Sequence, residues 1–326
     1  MNQQAVIHPL LLTLQEKSEQ LFGFKIISWV PISLGWLNLK WKLETDQGEF
    51  LLKQYHTKRY KNENVLIRAL EQQQRLSESG MPCPQLLAIN GTILHAFSDE
   101  KFVIMQFCTG EIVKPKDMNI DKMYDLGRVT GMMHRLLNDG SLREEGNTQF
   151  ILQNRQERIS HWSNVIEEIK SKNNTNLISH LELQMNLSKT IDIESFGKSI
   201  PGWAHRDLWV DNLLFDKDQV SALLDFDRLN YDYPELDVAR AILSWSLHNG
   251  NFRTELASAF LQGYRTVNEF PVGKIVSSLR MLWYLESVWW INASMEHHNR
   301  VQARFAEEMT WLAENDEQLP VMLGDL

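Results

Sequence analysis

The chain has 326 residues, a length suited to two domains or two lobes, and its 43% hydrophobic and 23% charged content is that of a globular protein rather than a disordered one. A formal net charge of −9 gives no electrostatic footprint for nucleic acid or an anionic membrane surface, so neither is an expected partner. Two cysteines, Cys83 and Cys108, exclude a disulfide framework; with no basic leader ahead of His8-Pro9 and no apolar run near ~18 residues, a cytoplasmic protein is expected.

Helical spacing of Leu10, Leu11, Leu14 and Leu21 predicts a first helix over 8–22. Short β-type runs follow at 26–30, 37–43 and 50–52, separated by Gly35 and Asp46-Gln47-Gly48. Residues 62–79 return to helical periodicity and stop at Gly80, ahead of Pro82 and Pro84. Asn90-Gly91 between Leu86–Ile89 and Thr92–Ala96 predicts a hairpin, and Phe102–Phe107 another strand. After Gly110 the texture turns to long helices, near 121–137, 154–170, 177–189, 236–247, 254–264, 274–291 and 301–315, with two short apolar runs at 212–215 and 220–226. A β-rich stretch followed by a helix-rich one implies an α+β chain of two unequal lobes, 1–106 and 107–326.

The chemistry concentrates in Trp203-Ala204-His205-Arg206-Asp207-Leu208-Trp209-Val210-Asp211-Asn212 and in Leu224-Asp225-Phe226-Asp227. Asp207 falls on a loop, Asn212 follows five residues later at the start of a strand, and Asp225 ends the next strand. A turn at Asp216-Lys217-Asp218 folds the two strands into a hairpin and brings Asn212 near Asp225. A carboxylate with a side-chain amide suits Mg²⁺ bridged to nucleotide phosphates, and a separate carboxylate can orient an attacking hydroxyl.

On these residues the chain resembles the aminoglycoside phosphotransferase-like small-molecule kinases, which share the protein-kinase fold; the resemblance runs over nearly the whole chain and is most specific from His205 to Ala239. It implies a bilobal fold, with an antiparallel sheet and a helix in the nucleotide-binding N-lobe and a larger helical lobe carrying the catalytic loop and the acceptor site. It also implies ATP and Mg²⁺ as cofactors and a small-molecule hydroxyl as acceptor. Carried over residue by residue, Asp207 is the catalytic base, Asn212 and Asp225 ligate magnesium, and Lys53 pairs the phosphates. Ser33, Gly35 and Asn38 belong to the loop over the phosphates, Glu71 (with Glu63 as the alternative) to the helix glutamate that pairs Lys53, and Gln106 and Cys108 to the hinge that meets adenine with its backbone. Asp237 looks like the aspartate that anchors the catalytic loop, and His134 like a structural histidine. Two departures stand out: the phosphate loop has one glycine rather than three, and Arg206 stands where the family often has Gly.

His-Arg-Asp and the 18-residue interval from Asp207 to Asp225 also fit protein kinases. Trp209 replaces the catalytic-loop lysine of those enzymes, however, and only 12 residues separate Asp225 from Asp237, too few for an activation segment. A catalytically retired binding or spore-coat-like protein is the other alternative; the presence of Lys53, Asp207, Asn212 and Asp225 favours an enzyme. For the acceptor, Trp283, Glu286 and Trp290 share one face of the helix over 274–291, which reads either as a core-packing face with Glu286 hydrogen-bonded to a neighbouring helix or, with Trp209 and Asp227, as a candidate acceptor site suited to a cation. The acceptor (aminoglycoside, amino alcohol, homoserine or sugar), the nucleotide preference and the oligomeric state stay open.

Overall fold

A computed structural model of the chain describes residues 9–33, 38–56, 60, 62–97, 100–143, 145, 147–171 and 177–326. In chain order its elements are α1 (Pro9–Phe22), β1 (Ile26–Pro31), β2 (Leu39–Thr45), β3 (Gly48–Tyr55), α2 (Glu63–Glu78), β4 (His95–Phe97), β5 (Glu100–Gln106), α3 (Ile120–Leu137), α4 (Arg155–Ser171) and α5 (Ile178–Thr190). There follow β6 (Gly202–Ala204), β7 (Leu213–Asp216), β8 (Gln219–Leu223), β9 (Asn230–Asp232), α6 (Pro234–Ser246), β10 (Leu247–His248), β11 (Asn251–Phe252), α7 (Thr254–Arg265), α8 (Lys274–Trp290), α9 (Arg300–Glu314) and α10 (Leu319–Leu323). The chain divides into two compact units: Met1–Ile112 with Asp211–Arg228, and Val113–Val210 with Leu229–Leu326. Among the described residues no helix is long and apolar enough to cross a membrane.

The first unit is built on an antiparallel sheet in the order β1-β2-β3-β5-β4. Because side chains alternate along a strand, β3 sends Leu52 into one cluster with Leu10, Leu14, Leu43 and Ile104, and Leu51 and Tyr55 into another with Leu66, Leu70, Val103 and Met105. Lys53 has the parity of Leu51 and Tyr55. The helix over 63–78 runs between Asn62 and Ser79 as the sequence predicts, and Gly80 turns the chain out of it at φ +82°.

The predicted hairpin around Asn90-Gly91 shrinks to a single bridge, Ile89 to Thr92, although both turn residues have positive φ. Its first strand is lost because the backbone pairs elsewhere: Leu87 N–H donates to Ile104 O, and Gln106 N–H to Gln85 O. The β7–β8 hairpin joins this unit through reciprocal bonds between Glu111 and Phe215, 2.8 and 2.9 Å. A Cβ on Gly110, at φ +144°, would lie 2.3 Å from Ser221 Oγ, so only glycine lets the chain approach so closely there.

In the second unit α3 and α7 cross at glycines. A Cβ on Gly127 would meet Phe260 O at 2.0 Å, and one on Gly263 would meet Tyr124 O at 1.9 Å, so the two backbones are in contact. Helix α8 is buried nearly all round, from Ile275 and Val276 through Ser287, which makes it a core helix rather than one with a solvent face.

Candidate functional site

Within the second unit the catalytic-loop stretch is held by backbone groups. Asn138, at the end of α3, donates from Nδ2 to Trp203 O (2.9 Å) and accepts from Trp203 N–H (2.7 Å), fixing β6. Asp237, in the first turn of α6, then accepts the N–H of His205 on Oδ2 and that of Arg206 on Oδ1, both at 2.7 Å. Asp237 Oδ2 also lies 3.0 Å from His134 Nε2, and His134 Nδ1 lies 3.0 Å from Tyr264 Oη. Burial alone would lift Asp237, but His134, then Arg206 and His205, hold it below the usual carboxylate range. Asp207 comes next, its N–H donating to His205 Nδ1 at 3.2 Å.

This grip holds Arg206 at φ +64°, a left-handed backbone that favours glycine. The conformation accounts for the glycine that the family resemblance leads one to expect here. Arg206 is tolerated because its guanidinium is bound: Nε donates to Asp232 Oδ2 at 2.6 Å, and the group lies 4.9 Å over the Phe150 ring. Burial lowers its pKa, but Asp232, then Glu286 and Asp237, more than offset that, and the net direction is up.

In the first unit a second cluster gathers around the end of the β7–β8 hairpin. Leu224 N–H donates to Asn212 O (2.9 Å), which carries the ladder one step past β8 and sets Asn212 beside the strand that delivers Asp225. Asp225, at φ +64°, accepts from Lys53 Nζ on Oδ1 at 2.7 Å and faces Lys40 Nζ at 3.6 Å on Oδ2. Burial would raise Asp225; Lys53 and then Lys40 hold it well below the usual range. Lys53 is pulled down by burial and lifted further by Asp225 and Asp227, ending well above the ordinary lysine value.

Several predicted site residues stand where expected. Lys53 is on a strand, Asp207 on a loop, and Gln106 and Cys108 at and just past the end of β5. Gln106 N–H donates to Gln85 O at 2.8 Å, and Cys108 Sγ lies 4.0 Å from the Gln106 carbonyl oxygen. Ser33 is exposed beyond β1, and Gly35 lies outside the described residues.

Five placements correct the sequence reading. Glu71 is exposed on α2 and does not pair Lys53, whose carboxylate partners are Asp225 and Asp227, each at 2.7 Å. Asn38 turns away from a phosphate-loop role, with Nδ2 on Asp227 Oδ2 and 3.0 Å from Tyr60 Oη. Asp227 does not stand open to an acceptor: its side chain is 6% exposed, and both oxygens accept from side-chain donors. Trp283 is 1% exposed, with Nε1 on Gln184 Oε1 at 2.6 Å. Glu286 is bonded to Arg240, with Arg206 Nη2 at 3.8 Å, so its charge is already matched. These last two fail for one reason: a shared helix face marks an accessible site only on an amphipathic helix, and α8 is buried on nearly all sides from Ile275 to Ser287. Trp209 and Trp290, by contrast, both lean on Phe305 of α9, with ring centres 5.1 and 4.6 Å away. Phe305 is a residue that helical spacing alone did not single out.

Comparison with known proteins gives the family. The model of the phosphotransferase enzyme family matches residues 28–272, and the chain belongs to that family. It is a phosphotransferase acting on a small-molecule hydroxyl, with a protein-kinase-like α+β fold. Among curated relatives, a homoserine kinase from Bartonella henselae is 23% identical over 245 residues, covering 74% of this chain and 72% of that protein. Among solved structures, a choline kinase from Cryptosporidium parvum Iowa II superposes with a TM-score of 0.58 at 17% identity, covering 97% of both chains. A spectinomycin phosphotransferase in complex with ADP and spectinomycin gives a TM-score of 0.58 at 15% identity, covering 93% of both chains.

Proposed function

We propose that the chain transfers the γ-phosphoryl group of Mg-ATP to a hydroxyl of a small metabolite or antibiotic. The observation that carries this reading is the double backbone bond from His205 and Arg206 to Asp237, which fixes the loop that presents Asp207. A general base works only if it is held in place before substrate arrives. In this reading Asp207 accepts a hydrogen bond from the acceptor hydroxyl and orients its oxygen toward the phosphorus. Lys53 binds the phosphates, and residues 1–106 form the nucleotide lobe, with the Gln106 carbonyl and the Cys108 backbone meeting the adenine edge. Residues 107–326 carry the catalytic loop and the acceptor site.

Asn212 and Asp225 would hold the metal. Both offer hard oxygen donors, and Mg²⁺ commonly takes one or two protein ligands and fills the rest of its octahedron with phosphate and water. When bound, the ion would neutralise charge developing on the phosphate oxygens. The side chain of Asp225 is 24% exposed, which leaves it accessible to a cation arriving with nucleotide.

The matched charge of Glu286 removes the ground for expecting a cationic acceptor, so the acceptor is open within hydroxyl-bearing small molecules. The test is ADP release on a panel of homoserine, choline, short amino alcohols, sugars and aminoglycosides, with Mg-ATP supplied. Acceptor-dependent ADP release with at least one compound, lost on chelation of Mg²⁺, is the expected result. Tight Mg-ATP binding with no turnover across a broad panel would overturn catalysis in favour of a binding role.

A further inference from the structure

Lys53 lies deep in the first unit, its side chain 4% exposed, and a buried ammonium is tolerated only with carboxylate partners. Helix α2 does not supply one. Its buried polar residues are Gln72 and Gln73; Gln73 Nε2 donates to Pro84 O, and Gln72 Oε1 accepts from Arg75 Nε. Glu63 is spent on Lys101, and Glu71 is exposed. The two carboxylates on Lys53 come instead from one triplet, Asp225-Phe226-Asp227, and their surroundings differ sharply.

Asp225 is the more exposed of the two, at 24% against 6%. Asp227 is ringed by four donors: Lys53 Nζ at 2.7 Å, Tyr60 Oη at 2.8 Å and Asn38 Nδ2 at 3.0 Å on Oδ2, with Tyr55 Oη at 3.0 Å on Oδ1. The Tyr55 ring also lies 5.2 Å from the Lys53 ammonium. A carboxylate so enclosed has no open side for a metal or an acceptor, and its orientation is set from both oxygens.

We infer that Asp227 is the positioning residue for Lys53, doing from the Asp225-Phe226-Asp227 triplet what a helix glutamate was expected to do. This rests on the reading of Lys53 as the phosphate ligand and of Asp225 as a metal ligand. With Asp225 engaged by Mg²⁺, Lys53 would keep Asp227 as its carboxylate partner, and its ammonium would stay oriented toward the phosphates. Tyr55, Tyr60 and Asn38 are the brackets that stop Asp227 from following Lys53 outward.

The experiment is a double-mutant cycle in Mg-ATP affinity, read by calorimetry, on wild type, Asp227→Asn, Lys53→Met and the double variant, with melting temperatures recorded for each. Loss of a charge-assisted contact should weaken Asp227→Asn about 10- to 100-fold. The double variant should bind within about threefold of Lys53→Met, because a residue that acts through Lys53 has nothing to position once Lys53 is gone. Additive losses, or an Asp227→Asn affinity equal to wild type, overturn the inference. So does a large rise in the Mg²⁺ concentration needed for binding that persists in the Lys53→Met background, which would make Asp227 a metal ligand. A wild type that binds no Mg-ATP overturns the nucleotide reading itself, and the inference with it. Should Asp227→Asn fail to fold, Tyr60→Phe removes one neutral donor instead. It should weaken binding about two- to tenfold with Lys53 present and not at all in Lys53→Met; an unchanged affinity with Lys53 present overturns the inference.

Discussion

Asp237 in the second unit and Asp227 in the first are both buried and both crowded with donors, but the donors differ in kind. Asp237 takes two backbone N–H groups and a histidine, whereas Asp227 takes a lysine, two phenols and an amide. Backbone donors cannot swing to a new partner without unfolding the loop they belong to. Side-chain donors can, one rotamer at a time. The first arrangement fixes the backbone of the loop before Asp207; the second fixes one carboxylate from several side chains at once, so it gives way only if those donors move together.

The largest expected effect separates the two regions outright. Asp207→Asn should cut turnover ~10²–10⁴-fold, the range for a positioned base, with Mg-ATP affinity and melting temperature unchanged. Steady-state rates with the acceptor found in the panel, together with calorimetry, check it. A parallel loss of Mg-ATP affinity would break the division between platform and nucleotide cluster.

Asp237→Asn should destabilise the protein by about 3 kcal/mol, because a charged acceptor of buried N–H groups is replaced by a neutral one. The pH dependence sharpens this. Asp237 sits below its ordinary value in the fold, so the stability its ionisation contributes is complete above the unfolded value of ~3.9 and is lost as pH falls from there toward the folded value. Urea midpoints between pH 3 and 6 should therefore fall more steeply for wild type than for Asp237→Asn. Equal slopes would show that the backbone grip does not depend on the charge.

Glu286→Gln should cost about 2 kcal/mol of stability by unbalancing its buried pair with Arg240, and leave the acceptor KM where it was. A raised acceptor KM at unchanged melting temperature would return Glu286 to the acceptor site. The smallest effect belongs to Glu71→Gln. As an exposed residue, it should change stability by less than about 0.5 kcal/mol and Mg-ATP affinity not at all. A drop in that affinity would restore the helix glutamate and undercut the role assigned to Asp227.

Much of this was legible before any coordinates. The helix over 63–78, the strand bearing Lys53 and the loop bearing Asp207 follow from periodicity and from breakers such as Gly80, all of which act over a few residues. Asp237 was legible as a structural residue because it lies in the family-like stretch from His205 to Ala239, and His134 because its own helix segment, Gly131 to Leu136, carries the family pattern. The glycine crossing of α3 and α7 was not, since nothing in the local sequence says which backbone Gly127 or Gly263 will meet.

Sequence by itself determined most of the element types and the family, because local spacing and side-chain chemistry are properties of short stretches. Only the tertiary structure decided how charges pair. Lys53 chose Asp225 and Asp227 over Glu71, and Glu286 chose Arg240 over a ligand, because ion pairing depends on burial and on distances between residues 46 to 174 positions apart. The same holds for Asp227. Its enclosure by Asn38, Tyr55 and Tyr60 arises where the chain end of one hairpin meets a distant strand, a coincidence in space that no sequence period encodes.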